Sequence, residues 1–242
     1  MTQLDSLEAS LLGPLDVSQH LRIMPLGDSI TVGYNGTPDV SYRRALASYI
    51  VEVQELGGPA AYVGSQYSPS GFHEGHAGWR LDELTPRVPE WMAAADPDLV
   101  LLHAGVNDAR AGACAQTMAD RMRDLLAAIL DASPTVRVIV SDLIAPWYGT
   151  QNDVASVETQ RFNALLPAVI SAAGPRVTLA RMSLAVPSNL LTDGLHPNDT
   201  GYQYMAWVWW RAMAPLLSAD GITRAGRCPL PTPIPQPVLC PI

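Results

Sequence analysis

The chain has 242 residues, a net charge of −8, and only 16% charged side chains against 48% apolar ones. That supports one α/β domain with a single core and argues against a disordered chain, while the acidic balance argues against nucleic acid or an anionic membrane as the main partner. All 15 basic side chains are Arg, which excludes Schiff-base lysine chemistry.

Residues 1–20 carry acids early and lack a basic start followed by an apolar run, so they read as an N-terminal extension and not a secretory signal. The expected location is cytoplasmic as written, or secreted if a native signal was removed. Short buried runs then alternate with helical patterns. Leu21–Met24 reads as a strand, Tyr42–Leu56 as a helix, Ala60–Val63 as a strand and Leu81–Ala95 as a helix. Leu99–His103, Val136–Ser141 and Val177–Ala180 read as further strands, with helices over Cys114–Ala132 and Val157–Ala173. Pro197-Asn198-Asp199-Thr200 precedes a last helix, Gly201–Leu217.

This alternation predicts a three-layer α/β/α domain over residues 21–217 with a five-stranded parallel sheet of flavodoxin-like type. Right-handed crossovers gather the βα loops at the carboxyl ends of the strands. In the last helix Met205, Trp209, Ala212 and Leu216 are expected to face the core, with Trp207 and Trp210 on another stripe that covers a loop of the same chain or, as the alternative, a partner. Its shortness and Arg211 argue against a membrane span.

Cys114 reads as a small buried residue inside its helix. Residues 218–242 form a proline-rich tail, read as a strap on the domain or a linker. Cys228 and Cys240 flank its proline run, and whether they pair is open; the cysteine spacing shows no metal ligands.

Four segments carry groups suited to chemistry. Leu21–Leu26 runs into Gly27-Asp28-Ser29, which puts a serine hydroxyl on the first βα turn and its amide at a helix start. Thr192-Asp193-Gly194-Leu195-His196-Pro197 supplies a base and an orienting carboxylate from one loop. Leu99–Gly105 leads into Val106-Asn107-Asp108, where the Asn107 NH2 can donate to an oxyanion or merely cap a turn. Gly71–Arg80 is too rich in glycine and polar side chains for a mere connector, and Gly78 can offer a backbone N–H. Each segment alone is a common loop; together they sit on four βα loops in one chain.

These blocks resemble the SGNH hydrolases, or GDSL-type esterases, over Leu21–Leu217. The resemblance implies Ser29 as nucleophile, Asp193 and His196 as the activating pair, Ser29, Gly78 and Asn107 as the oxyanion hole, and neither cofactor nor metal. The first block reads Gly-Asp-Ser-Ile-Thr, not Gly-Asp-Ser-Leu. IMPLGDSITVGY, YVGSQ, HEGHAGW and GVND are similar to the acetylxylan esterases of carbohydrate esterase family 3. That implies an acetylated carbohydrate, or a related small-molecule ester, as substrate.

His76 and Trp79 are candidates for lining the substrate cleft, with packing an equal alternative for Trp79 and Arg80. Asp28 and Asp108 read as loop-organising carboxylates, and His73, His76 and His103 as lacking a carboxylate partner. Phe72, His73, His76 and Trp79 are expected to crowd Gly78, favouring small acyl groups. An acyltransferase or thioesterase would use the same triad. A catalytically dead binding module would have lost Ser, Asn, Asp or His, and no GxxxxGK[ST], GxGxxG or GxSxG motif supports another α/β class.

Overall fold

Alternate residues of the central strands bury themselves on opposite faces of one sheet, and this divides the core in two. The computed structural model describes residues 12–15, 21–37, 40–51, 60–147 and 153–217. Its strands are β1 (Leu21–Gly27), β2 (Ala60–Tyr62), β3 (Gln66–Ser68), β4 (Gly71–Gly75), β5 (Leu99–His103), β6 (Arg137–Ser141) and β7 (Val177–Ala180). Its helices are α1 (Ser29–Val32), α2 (Tyr42–Val51), α3 (Leu81–Leu84), α4 (Val88–Ala95), α5 (Val106–Arg110), α6 (Ala115–Ala132), α7 (Val154–Ala173) and α8 (Asp199–Leu217). Ile23, Leu99, Leu101 and Ile139 face α2 and α8. Met24, Leu26, Val100, Leu102, Val138 and Val140 face α3, α4, α6 and α7. The result is a single α/β/α domain.

The expected five-stranded parallel sheet is corrected to a mixed sheet of seven strands among the described residues. β1, β5, β6 and β7 pair in parallel in that order. On its other edge β1 pairs with β2 through Leu21–Ile23 and with β4 through Leu26 and Gly27. The extra pair is the antiparallel β3–β4 hairpin. Its strands, Gln-Tyr-Ser and Gly-Phe-His-Glu-Gly, lack the apolar run that marks a buried strand. The fully buried Arg43 holds them instead. Its guanidinium donates to Gly71 O (2.5 Å), Ser68 Oγ (2.9 Å) and Val32 O (3.2 Å), tying the hairpin to α1.

Other boundaries shift for local reasons. The helix expected over Leu81–Ala95 is broken by a 3-10 turn at Thr85–Arg87, where Pro86 and Pro89 remove two donors. The helix from Tyr42 is described to Val51, and its expected end at Leu56 lies outside the described residues. α7 starts at Val154 because Asp153 caps it, accepting from Ser156 N at 3.1 Å. Cys114 is exposed, not buried: it is the residue before α6 begins, and Glu158 accepts the first helical N–H, from Ala115, at 2.7 Å. In α8 the buried face holds Met205, Trp209, Trp210 and Met213, with Ala212 and Leu216 only partly buried. Trp210 stacks on Tyr49 at 6.4 Å, an intramolecular partner.

Residues 12–15 of the expected extension lie against the domain: Leu15 N donates to Leu216 O (2.7 Å), and Arg137 donates to the carbonyls of Leu12 and Gly13. The proline-rich tail and the question of Cys228 and Cys240 lie outside the described residues. No described helix is long and apolar enough to cross a membrane.

The β1–α1 turn stores a titration. Asp28 is fully buried; Oδ1 accepts Ile30 N at 2.9 Å, and Oδ2 has no partner. Burial drives its pKa up to about 7 against the pull of the Ile30 amide. Between the ordinary carboxylate range and pH 7 the folded chain keeps this proton and the unfolded chain does not, so its contribution to stability falls as pH rises. Asp28→Asn keeps the acceptor and removes the titration. The stability of the variant relative to wild type should therefore climb between pH 5 and 7, with a limiting slope of about 1.4 kcal/mol per pH unit, and its Tm should climb with it. Thermal melts over that range check it; a difference independent of pH would refute it.

Candidate active site

Gly27, the last residue of β1, pairs with Gly75 of β4 on one side and His103 of β5 on the other. A Cβ on Gly27 would stand 2.1 Å from His103 O, so only glycine lets β1 and β5 approach here. The chain turns at Asp28, and Ser29 becomes the first residue of α1. Its N–H therefore has no acceptor within the helix.

Ser29 Oγ lies 2.8 Å from His196 Nε2, and His196 Nδ1 lies 2.8 Å from Asp193 Oδ2. A carboxylate only accepts, so the hydrogen belongs on Nδ1 and leaves Nε2 to accept from the serine hydroxyl. Ser29 is buried, and the His196 side chain is only 12% exposed. The loop that brings them together is closed by the Leu191–Pro197 bridge and by Thr192 N donating to His196 O (2.9 Å). Gly194 turns it at a φ of +80.

Asp193 is held by more than the imidazole. Its Oδ1 accepts the amides of Leu195 (3.0 Å) and His196 (2.8 Å), and its Oδ2 accepts Asn35 Nδ2 (2.8 Å). Partial burial pushes its pKa up, but the His196 amide, the His196 ring and the Leu195 amide outweigh that and hold it at about 2. Asn35 is a contributor that sequence reasoning missed. Its left-handed backbone (φ +62), within Gly33-Tyr34-Asn35-Gly36, is the only trace it leaves. Tyr34 stands beside the imidazole with ring centroids 5.7 Å apart.

Gly78 and Asn107 come from neighbouring loops that share a hydrogen bond. Trp79 N donates to His76 O at 3.2 Å, closing a turn with Gly78 in third place at φ +82, the type II pattern. Asn107 does not cap α5, which starts after Gly105 without a side-chain cap. Its Nδ2 donates to Trp79 O (3.1 Å), and its Oδ1 accepts from Arg110 (3.3 Å). Asp108 accepts Leu81 N (2.9 Å) and pairs with Arg121 (2.7 Å), the organising part expected of it.

The expectation that His76 lacks a carboxylate is corrected. Glu74, fully buried, sits 2.6 Å from His76 Nε2 and also accepts Ser65 N and Ser65 Oγ, each at 2.7 Å. The His76 ring packs against Trp79 (4.5 Å) and Trp91 (4.6 Å, 9° from parallel), whose own rings are 6.1 Å apart. Residues two apart in extended chain share a face, which is the signal that links Glu74 and His76.

Crowding around Gly78 is corrected too. Phe72 packs on Tyr67 across the hairpin, His73 is buried, and a Cβ on Gly78 would meet nothing within 4 Å. His73 and His103 are held by burial at pKa values of about 3 and about 4, and are therefore neutral. Among the described residues no three His, Cys, Asp or Glu side chains gather as metal ligands.

A multidomain esterase of Ruminococcus flavefaciens is 26% identical over 249 residues, covering 90% of this chain and 31% of that protein. The chain thus spans about a third of that relative's length. A family 3 carbohydrate esterase of Clostridium thermocellum is 27% identical, with a TM-score of 0.69 over 84% of this chain and 99% of its own. A carbohydrate esterase of family 3 from Talaromyces cellulolyticus is 25% identical, with a TM-score of 0.68 over 81% of this chain and 98% of its own. Residues 26–204 match the GDSL-like Lipase/Acylhydrolase family, and the chain belongs to that family.

Proposed function

We propose that the protein is a serine esterase acting on short-chain, chiefly acetyl, esters of carbohydrates. The observation that carries this reading is the unbroken relay from Ser29 Oγ through His196 to Asp193, with both contacts at 2.8 Å.

Ser29 Oγ attacks the ester carbonyl carbon as its proton passes to His196 Nε2. Asp193, ionised down to about pH 2, accepts the Nδ1–H and stabilises the imidazolium. Negative charge develops on the carbonyl oxygen, which receives the Ser29 and Gly78 amides and an N–H of Asn107. The tetrahedral centre collapses, and the departing alcohol takes its proton from His196. The acyl group remains on Ser29 until His196 deprotonates a water that attacks it. Collapse then releases the acid and returns the proton to Ser29. Asn35 shares Asp193 Oδ2 with the imidazole and steadies the carboxylate. His76 and Trp79, stacked on each other, act as supports of the Gly78 turn in this reading. The acetyl and carbohydrate preference draws on the likeness to two family 3 carbohydrate esterases.

Ser29→Ala should abolish turnover of an aryl acetate while leaving the Tm near wild type, because losing one hydroxyl opens no cavity of consequence. A fluorophosphonate should label Ser29 alone; labelling elsewhere with Ser29 unmodified would exclude it as nucleophile. Asn107→Ala should lower kcat by roughly 10²–10³, with less change in KM, because the donor acts on charge present only in the transition state. Steady-state kinetics at near-wild-type rate would reduce Asn107 to a link between loops. Across acetyl, butyryl and octanoyl esters of one leaving group, kcat/KM should fall steeply. A level or rising series would overturn the acetyl preference.

A further inference from the structure

A cleft of about 440 Å³ opens beside the triad loop, within the size range of small-molecule sites. It lies where the chain leaves β6 and β7, at the same end of the parallel strands as Ser29. Trp147, Gln160, Asn163, Ser183, Pro187 and Ser188 line it, and none of its lining residues is charged. Trp147 is 40% exposed, and Leu184 and Val154, one and two residues from lining serines, are also exposed. The nearby carboxylate, Asp142, is buried: it accepts Ser183 N (2.7 Å) and Ser183 Oγ (2.8 Å), and Arg181 Nη1 stands 3.7 Å from it. Asn163 is fixed by two bonds to the Leu143 backbone, from Leu143 N at 2.8 Å and to Leu143 O at 2.7 Å.

The cleft is joined to the catalytic loop. Trp147 N donates to Gly194 O at 2.6 Å, and Gly194 stands between Asp193 and His196. β6 is two strands from β1, about 10 Å at ordinary strand spacing. A small ester held at Ser29 would not fill the cleft; a longer molecule continuing past His196 would reach it.

The lining chemistry narrows the occupant. The lining hydroxyls and amides bond within the chain, Gln160 Nε2 to Ser156 Oγ at 3.3 Å, Asn163 to Leu143 and Ser183 to Asp142, and an acyl chain would use none of their remaining donor and acceptor capacity. An anion would find no cation among the lining residues. A sugar ring offers C–H faces to indole and proline and uncharged hydroxyls to amides and serines. We infer that this cleft is a saccharide subsite that binds the sugar chain on the alcohol side of the ester. The inference rests on the esterase reading of Ser29 and adds residues that contact only the extended part of the substrate.

The test separates the two. Trp147→Ala retains the backbone N–H that holds Gly194, and Gln160→Ala keeps a strong helix former on α7. Both variants and wild type are assayed on 4-nitrophenyl acetate and on an acetylated xylo-oligosaccharide. The variants should match wild type on the aryl acetate and lose about tenfold or more in kcat/KM on the oligosaccharide, mainly through KM. Equal losses on both substrates, or none on either, would overturn the subsite. Binding of the unacetylated oligosaccharide, followed by calorimetry, gives a readout independent of turnover. Wild type should bind and Trp147→Ala should bind at least several-fold more weakly; no binding by wild type, or equal binding by the variant, overturns the subsite. Failure of wild type to cleave either ester would count against the esterase reading alone.

Discussion

The architecture hangs on one level line across the sheet. Gly27 is in register with Gly75 on one side and His103 on the other, so β1, β4 and β5 end at the same height. Neither glycine can carry a Cβ: at Gly27 it would meet His103 O at 2.1 Å, and at Gly75 it would meet Val32 N at 2.9 Å. Three loops then leave the sheet side by side, bearing Ser29, the His76–Trp79 turn and Asn107. Slippage of one strand by a residue would invert its inward and outward side chains and move its loop away from the other two.

Around that line, polar groups are fixed from outside the reacting atoms. Glu74 anchors His76, two neighbouring indoles pack against the ring, and Trp79 O receives the amide of Asn107. Such fixation removes the cost of arranging dipoles when charge appears, which is the source of strength in a preorganised site. It also explains the glycines and polar side chains gathered in a short loop. They bear on the turn's shape more than on its surface.

The parts legible in sequence were those whose signal is physical and local. Leu99–His103 is apolar at four of five positions, so a buried strand could be read directly. Gly-Asp-Ser and Asp-x-x-His carry their chemistry in residue type and spacing. The β3–β4 hairpin was not legible, because an edge held by a buried Arg43 needs no apolar run. Glu74 and His76 stand two residues apart on extended chain, a spacing that becomes a pairing only once the strand is known. Pro86 and Pro89 did announce the break between α3 and α4, and the apolar pattern across them masked it. Cys114 shows how a single position decides exposure: it stands just before the first turn of α6 and is exposed, whereas the next residue, Ala115, is buried. Asn35 reaches Asp193 from 158 residues away, and no pattern in its neighbourhood foretells that.

The contacts within the Asp193–His196 loop differ in range from the one contact that completes the relay. Asp193 meets Leu195 and His196 across two and three residues, whereas His196 meets Ser29 across 167. Short-range contacts cost little chain entropy to close, and long-range ones form only when the intervening chain has found its place. The Asp193–His196 pair can therefore assemble as a local unit, while its junction with Ser29 records the docking of the last helix region onto the first strand. Closure of the Ser29–His196 contact during refolding would thus report the closing of the whole chain upon itself, later than any signal from secondary structure.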